Sequence, residues 1–154
     1  MELRHVRVTD PLVRPLLAGL GHEYHQRYGL NDELSSTEES DFDPPAGDFV
    51  VYVAGEITAA GGGFRAHAPG VCEVKRMWTS PDYRRRGLAT LVLDALEQAA
   101  VAAGYRRLVL ETGPRQPEAA AMYERRGYTR IPRFGRYAQA LAFAIELDQP
   151  ARST

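Results

Sequence analysis

The feature that most restricts how this chain can fold is a one-sided apolar stripe. Leu88, Leu91, Val92, Ala95, Leu96 and Ala99 recur at i, i+3, i+4, i+7, i+8 and i+11, the spacing of a single helical face. A helix apolar on one side must lie on something, and both its neighbours are β-rich: Val71 to Thr79 before it, Arg107 to Glu111 after it. Gly104 ends the helix. Leu3 to Val8 reads as a short strand. Asp10-Pro11 supplies an N-cap and a first helical residue for a helix carrying Leu12, Leu16, Leu20 and Tyr24 to about Tyr28. Phe49 to Val53 and Ile57 to Arg65 form a hairpin about Gly55-Glu56, and Gly61-Gly62-Gly63 marks a bulge or a close backbone approach. Pro117 to Arg126 is a helix with Gly127 just past its end, followed by a strand pair, Tyr128 to Phe134 and Leu141 to Leu147. The expected fold class is α/β, a mixed sheet covered by helices in one domain, 1–154.

Composition narrows the function. With 44% hydrophobic residues and one cysteine, Cys72, the fold rests on a hydrophobic core without an internal disulfide or a multi-cysteine zinc site. No apolar run nears the ~20 residues that cross a bilayer, and the start lacks a signal-peptide pattern, so a cytoplasmic protein with no membrane partner is expected. Charge is uneven. Residues 1–72 carry five arginines against eleven acidic residues, a net of −6, and residues 73–154 carry fourteen basic against nine acidic, a net of +5. An anion therefore belongs to the second half, while the near-zero total and acidic first half disfavour nucleic acid. Residues 31–48 hold seven of the acidic residues, no basic one and Pro44-Pro45, an acidic loop that breaks helix and strand alike.

Arg84-Arg85-Arg86-Gly87-Leu88-Ala89-Thr90 stands where a strand gives way to the striped helix. A helix N-terminus offers unpaired N–H groups and partial positive charge, small residues at Gly87 and Ala89 admit phosphate oxygens to the backbone, and three arginines suit a diphosphate. A solvated basic surface is the bland alternative. The triphosphate loop G-x-x-x-x-G-K-[ST] is absent, and the glycine triplet fails the G-x-G-x-x-G spacing of dinucleotide binders.

Arg84-x-x-Gly87-x-Ala89 resembles the [QR]-x-x-G-x-[GA] signature of the GNAT superfamily of acetyl-CoA-dependent N-acetyltransferases. The strand Glu73-Val74-Lys75-Arg76-Met77-Trp78-Thr79 before it, and Ala119-Ala120-Ala121-Met122-Tyr123-Glu124-Arg125-Arg126-Gly127-Tyr128 after it, resemble the family's splayed central strand and its tyrosine-bearing helix. The resemblance implies a mostly antiparallel sheet with that strand splayed from its neighbour. It implies that the backbone at Met77, Trp78 and Thr79 pairs with the pantetheine arm of acetyl-CoA. It also implies that N–H groups from Arg85 through Arg86, Gly87, Leu88 and Ala89 to Thr90 cradle the pyrophosphate, and that Gln116 stands near a cofactor-contacting position. Tyr123 matches the tyrosine whose hydroxyl faces the cofactor sulfur, and Glu73, eleven residues before Arg84, matches a catalytic glutamate of several members.

The implied chemistry moves an acetyl group directly to a primary amine of a small molecule. An alkylammonium with a pKa near 10 must lose a proton, for which Glu73 is the candidate base, and Tyr123 would serve the departing thiolate. A backbone N–H near Met77 or Trp78 would meet the oxyanion. Cys72 reads as a small buried strand residue rather than a nucleophile. His22 and His25, at i and i+3, lack a third metal ligand, so no metal is expected. Acceptor choice stays open: the acidic loop suits a cationic amine, whereas Arg65, Arg76 and Arg133 suit a carboxylate. The segment Phe134-Gly135-Arg136-Tyr137 would line the acceptor site or a homodimer contact. The rival readings are a peptide or protein N-acetyltransferase and a non-catalytic acyl-CoA-binding module.

Overall fold

In the computed structural model, residues 1–28, 39–113, 117–135 and 138–147 are described, the side chains of the first helix as far as Gly21. A seven-stranded sheet is built from β1 (Glu2–His5), β2 (Asp48–Ala54), β3 (Ile57–Ala68), β4 (Val71–Thr79), β5 (Arg107–Thr112), β6 (Thr129–Ile131) and β7 (Leu141–Glu146). Its order is β1-β2-β3-β4-β5-β7-β6. Each neighbouring pair is antiparallel except β4 and β5, which the crossover helix α2 (Leu88–Ala102) makes parallel. The helices α1 (Arg14–Tyr28) and α3 (Pro117–Arg125) complete the set.

Local chemistry explains the element ends. The Asp10 carboxylate accepts from the Leu12 N–H at 2.9 Å, and the first turn, Pro11–Val13, is a tight 3-10 turn that runs into α1. Gly55, Gly104 and Gly127 take positive φ values at the β2–β3 turn and just past α2 and α3. The glycine triplet serves close approach. A Cβ on Gly61 would meet the Val50 carbonyl oxygen at 2.7 Å, one on Gly62 the Met77 sulfur at 2.6 Å, and one on Gly63 the Phe42 ring at 2.8 Å.

Strand alternation divides two cores. Val50, Phe64, Cys72, Val74, Leu108, Leu110 and Phe143 face α2 and Tyr123, whereas Phe49, Val51, Val53 and Trp78 face Val13, Leu16 and Leu20 of the first helical segment. On α2 the buried set is Leu88, Val92, Leu93, Leu96 and Ala100, while Leu91 is 43% exposed. The face that docks is thus rotated from the one read off the spacing. Both arcs are apolar, and the tilt of the helix on the sheet selects between them.

Candidate active site

β4 and β5 pair only from Val71 to Glu73, against Arg107 to Val109. Beyond Glu73 the ladder stops, although β5 stays paired to β7 through Thr112. Past Glu73 the β5-facing edge of β4 therefore lies outside that ladder, and a sheet edge accepts an extended ligand as an added strand. A bulge accompanies the splay. Gly61 opposes Trp78 and Gly63 opposes Lys75, so Arg76 and Met77 share Gly62, and Arg76 takes a φ of 61°. Holding a non-glycine residue there costs ~1–3 kcal/mol, strain of the kind that collects at functional sites.

At the mouth of this slot lies the start of α2. Arg85 has φ 63° and Gly87 φ 76°, and Gly87, at the N-cap, has no side chain to cap the helix. Alternating backbone hands followed by an uncapped first turn leave N–H groups available to an anion. A Cβ on Gly87 would meet nothing within 4 Å, so the glycine answers to backbone conformation and to the open space above it. Arg84, Arg85 and Arg86 are exposed; Arg84 Nε donates to the Thr79 carbonyl at 3.2 Å, and the Arg86 guanidinium sits 5.1 Å from the Tyr83 ring centroid. Uncapped donors, room at Gly87 and three arginines fit the diphosphate of a coenzyme A thioester.

Tyr123 is buried on α3, its ring 5.6 Å from those of Tyr128 and Phe143. Burial pushes its hydroxyl up to about 12, which keeps it protonated at neutral pH. Behind it, Arg126 donates to Asp94 at 2.7 Å and Glu97 at 2.9 Å, and the Tyr128 hydroxyl donates to Glu97 at 2.7 Å, tying the end of α3 to α2.

Glu73 is 5% exposed on the opposite face of β4 and belongs to an ionic cluster. Its Oε1 accepts from Arg65 Nε at 3.2 Å and Nη2 at 3.1 Å, and the Lys75 ammonium stands 3.9 Å from Oε2. Arg65 also reaches Asp41 at 3.3 Å, so its guanidinium is committed to carboxylates of the chain itself. Arg76 is buried with its guanidinium 5.1 Å from the Phe42 ring centroid. Of the three arginines read as a carboxylate clamp, Arg65 and Arg76 are thus engaged within the chain, and exposed Arg133 is not in their cluster. Sequence reasoning missed His67, whose Nδ1 is 3.9 Å from Glu73 Oε1 and whose ring centroid is 4.8 Å from that of Phe134. Glu111 accepts from the N–H groups of Phe134 at 2.9 Å and Gly135 at 3.1 Å, fixing that loop. Gln116, Tyr137, Arg136, the side chains of His22 and His25, and residues 31–38 of the acidic loop lie outside the described residues.

A β4 splayed from β5, a bulge, an uncapped basic helix start and a buried tyrosine define an acyltransferase of the acetyl-CoA-using class. Residues 14–128 match the model of the acetyltransferase (GNAT) family, and the chain belongs to that family. It is an acetyl-CoA-dependent acetyltransferase. It is 31% identical over 141 residues to the uncharacterized N-acetyltransferase YjgM of Escherichia coli (strain K12), covering 84% of this chain and 82% of that one. Over 68 residues, 44% of each chain, it is 38% identical to the IAA acetyltransferase of Azospirillum brasilense. Its fold matches the PaiA N-acetyltransferase of Thermoplasma acidophilum, solved in complex with coenzyme A, with a TM-score of 0.75, 12% identity and coverage of 95% and 99%. No helix among the described residues is long and apolar enough to cross a membrane.

Proposed function

We propose that the chain transfers an acetyl group directly to a primary amine of a small molecule while amine and acetyl-CoA are bound together. The observation that carries direct transfer is the state of the lone thiol. Cys72 is fully buried in the α2-side core and burial pushes its thiol up to about 12, so it offers no thiolate to carry an acetyl group. A small acceptor is favoured by the Phe134 loop, which Glu111 pins against His67 on the face bearing Glu73.

Acetyl-CoA supplies an acetyl thioester, activated for attack at its carbonyl carbon. The free edge of β4 at Met77, Trp78 and Thr79 would align its arm, and the N–H groups from Arg85 to Thr90 would hold its diphosphate. The oxygen that gains charge would be met by a backbone N–H near Met77 or Trp78, beside the bulge. Tyr123 donates a hydrogen bond to the leaving sulfur rather than surrendering its proton. Transfer from a hydroxyl near 12 to a thiolate near 8.5 is uphill by about 5 kcal/mol.

Release of free thiol from acetyl-CoA, measured across polyamines, amino acids, aminoglycosides and short peptides, tests the reading. Turnover confined to one small-amine group supports it. Turnover on peptides alone moves the acceptor to the protein class, and acetyl-CoA binding without turnover on any of them leaves a non-catalytic binding module.

A further inference from the structure

We infer that His67, rather than Glu73, takes the proton from the acceptor amine, and that Glu73 is the positioning carboxylate behind it. The inference rests on the transfer reaction proposed above. Glu73 has little left to offer as a base: Oε1 already accepts two Arg65 N–H groups, Oε2 faces the Lys75 ammonium, and the side chain is 7% exposed. Of the described side chains within 4 Å of the Glu73 carboxylate, His67 is the most exposed, 34% against 24% for Arg65 and 11% for Lys75. Imidazole carries a ring nitrogen with a lone pair, the atom a general base needs.

Three features aim the ring. The Nδ1 edge of the ring is the one toward Glu73 Oε1, at 3.9 Å and beyond hydrogen-bond range, which leaves the Nε2 edge for the acceptor. Arg65 fixes that carboxylate in turn, and Phe134 packs against the imidazole at an interplanar angle of 63°. Among the described residues, the titratable and charged groups around the ring are Glu73 and Lys75 of β4, Arg65 of its own strand, Asp41 through Arg65, and Glu111 of β5 behind Phe134. His67 is also the bulged residue of β3, since Ala66 opposes Cys72 and Ala68 opposes Val71, so it is freed from the regular alternation.

In the step assigned to it, the amine nitrogen bonds to the acetyl carbon and the carbon–sulfur bond breaks with its electron pair on sulfur. The amine proton passes to His67 Nε2 and from there to water. The test is the pH profile of kcat at saturating acceptor for wild type, His67→Gln, His67→Asn and Glu73→Gln, with acetyl-CoA Kd by calorimetry. Wild type is expected to lose activity as pH falls through an acidic limb. Both His67 variants should bind acetyl-CoA as wild type does, turn over ~100-fold more slowly at neutral pH, and lack that limb. Glu73→Gln should be slower but keep it. A limb that survives in the His67 variants overturns the assignment. Wild type without turnover on any amine would instead overturn the transfer reaction, and the role of His67 with it.

Discussion

Single side chains set the chemistry here through burial more than through charge. Tyr123 lies in an aromatic nest, and desolvation alone raises its hydroxyl to about 12. Tyr123→Phe should therefore lower kcat about tenfold, leave acetyl-CoA Kd unchanged by calorimetry, and leave the melting temperature the same or slightly higher, because it deletes a buried hydroxyl. A normal kcat would return Tyr123 to the core. At Gly87 the constraint is a φ of 76° beneath open space. Gly87→Glu should remove measurable acetyl-CoA binding by placing a carboxylate beside the diphosphate, while the far-ultraviolet circular dichroism spectrum stays that of wild type. Unchanged affinity would displace the diphosphate from this helix start. Gly87 and Tyr123 were legible in the sequence because their motif positions are local. His67 was not. Counting back from the turn at Pro69-Gly70 pairs His67 with Cys72 and Arg65 with Val74, whereas the bulge puts Arg65 opposite Glu73.

Among the elements, β4 carries both the slot and its support. Its Trp78 indole leans on α1 so closely that a Cβ at Gly19 would overlap the indole Nε1, a buried donor with no partner among the described residues. Gly19→Ala should cost about 1–3 kcal/mol by overpacking, read as a lower urea midpoint with a shifted tryptophan emission maximum. An unchanged midpoint would mean that α1 moves away from β4 freely. α2 and α3 are joined by Arg126 through Asp94 and Glu97, and Arg126 is held above its ordinary value by those two carboxylates although burial opposes it. Arg126→Met would leave Glu97 with Tyr128 alone. β4, Val71–Thr79, matches the sequence reading to the residue, whereas β1 stops three residues before Val8, β3 runs three past Arg65, and β6 is only Thr129–Ile131 of the stretch from Tyr128 to Phe134. The docking face of α2 was read in the main, with Leu88, Val92 and Leu96 buried and Ala95 and Ala99 packed on the core, but exposed Leu91 gives way to Leu93 and Ala100 because both flanks of the stripe are apolar.

Taken as a whole, the molecule stores several buried acids in neutral form. Burial raises Cys72 and Tyr123 to about 12, and Tyr128, beside Glu97, is raised as well. In the unfolded chain these groups ionise near 9 and 10, so the folded state keeps protons that the unfolded state has lost. Stability should hold below about pH 9 and then fall by ~1.4 kcal/mol per pH unit for each such proton, until the folded values are reached. Urea midpoints at pH 7 and pH 10.5 measure the drop, and Cys72→Ala should reduce it. Equal midpoints at the two pH values would mean that these groups are hydrated in the folded chain.

By itself the sequence determined the order of strands and helices, the arginine-rich start of α2 with Gly87 at its N-cap, and the tyrosine-bearing helix. Each is written in spacing, capping and turn chemistry that neighbouring residues settle among themselves. The tertiary structure alone decided where β4 leaves β5, which flank of the α2 stripe is buried, and that Arg65 meets Glu73 and Asp41 while Arg76 meets the Phe42 ring. It alone brought His67, Glu73 and Phe134 together from β3, β4 and the loop before β7. Those outcomes depend on strand register and on packing between residues far apart in the chain, where a single bulged residue changes which side chains meet.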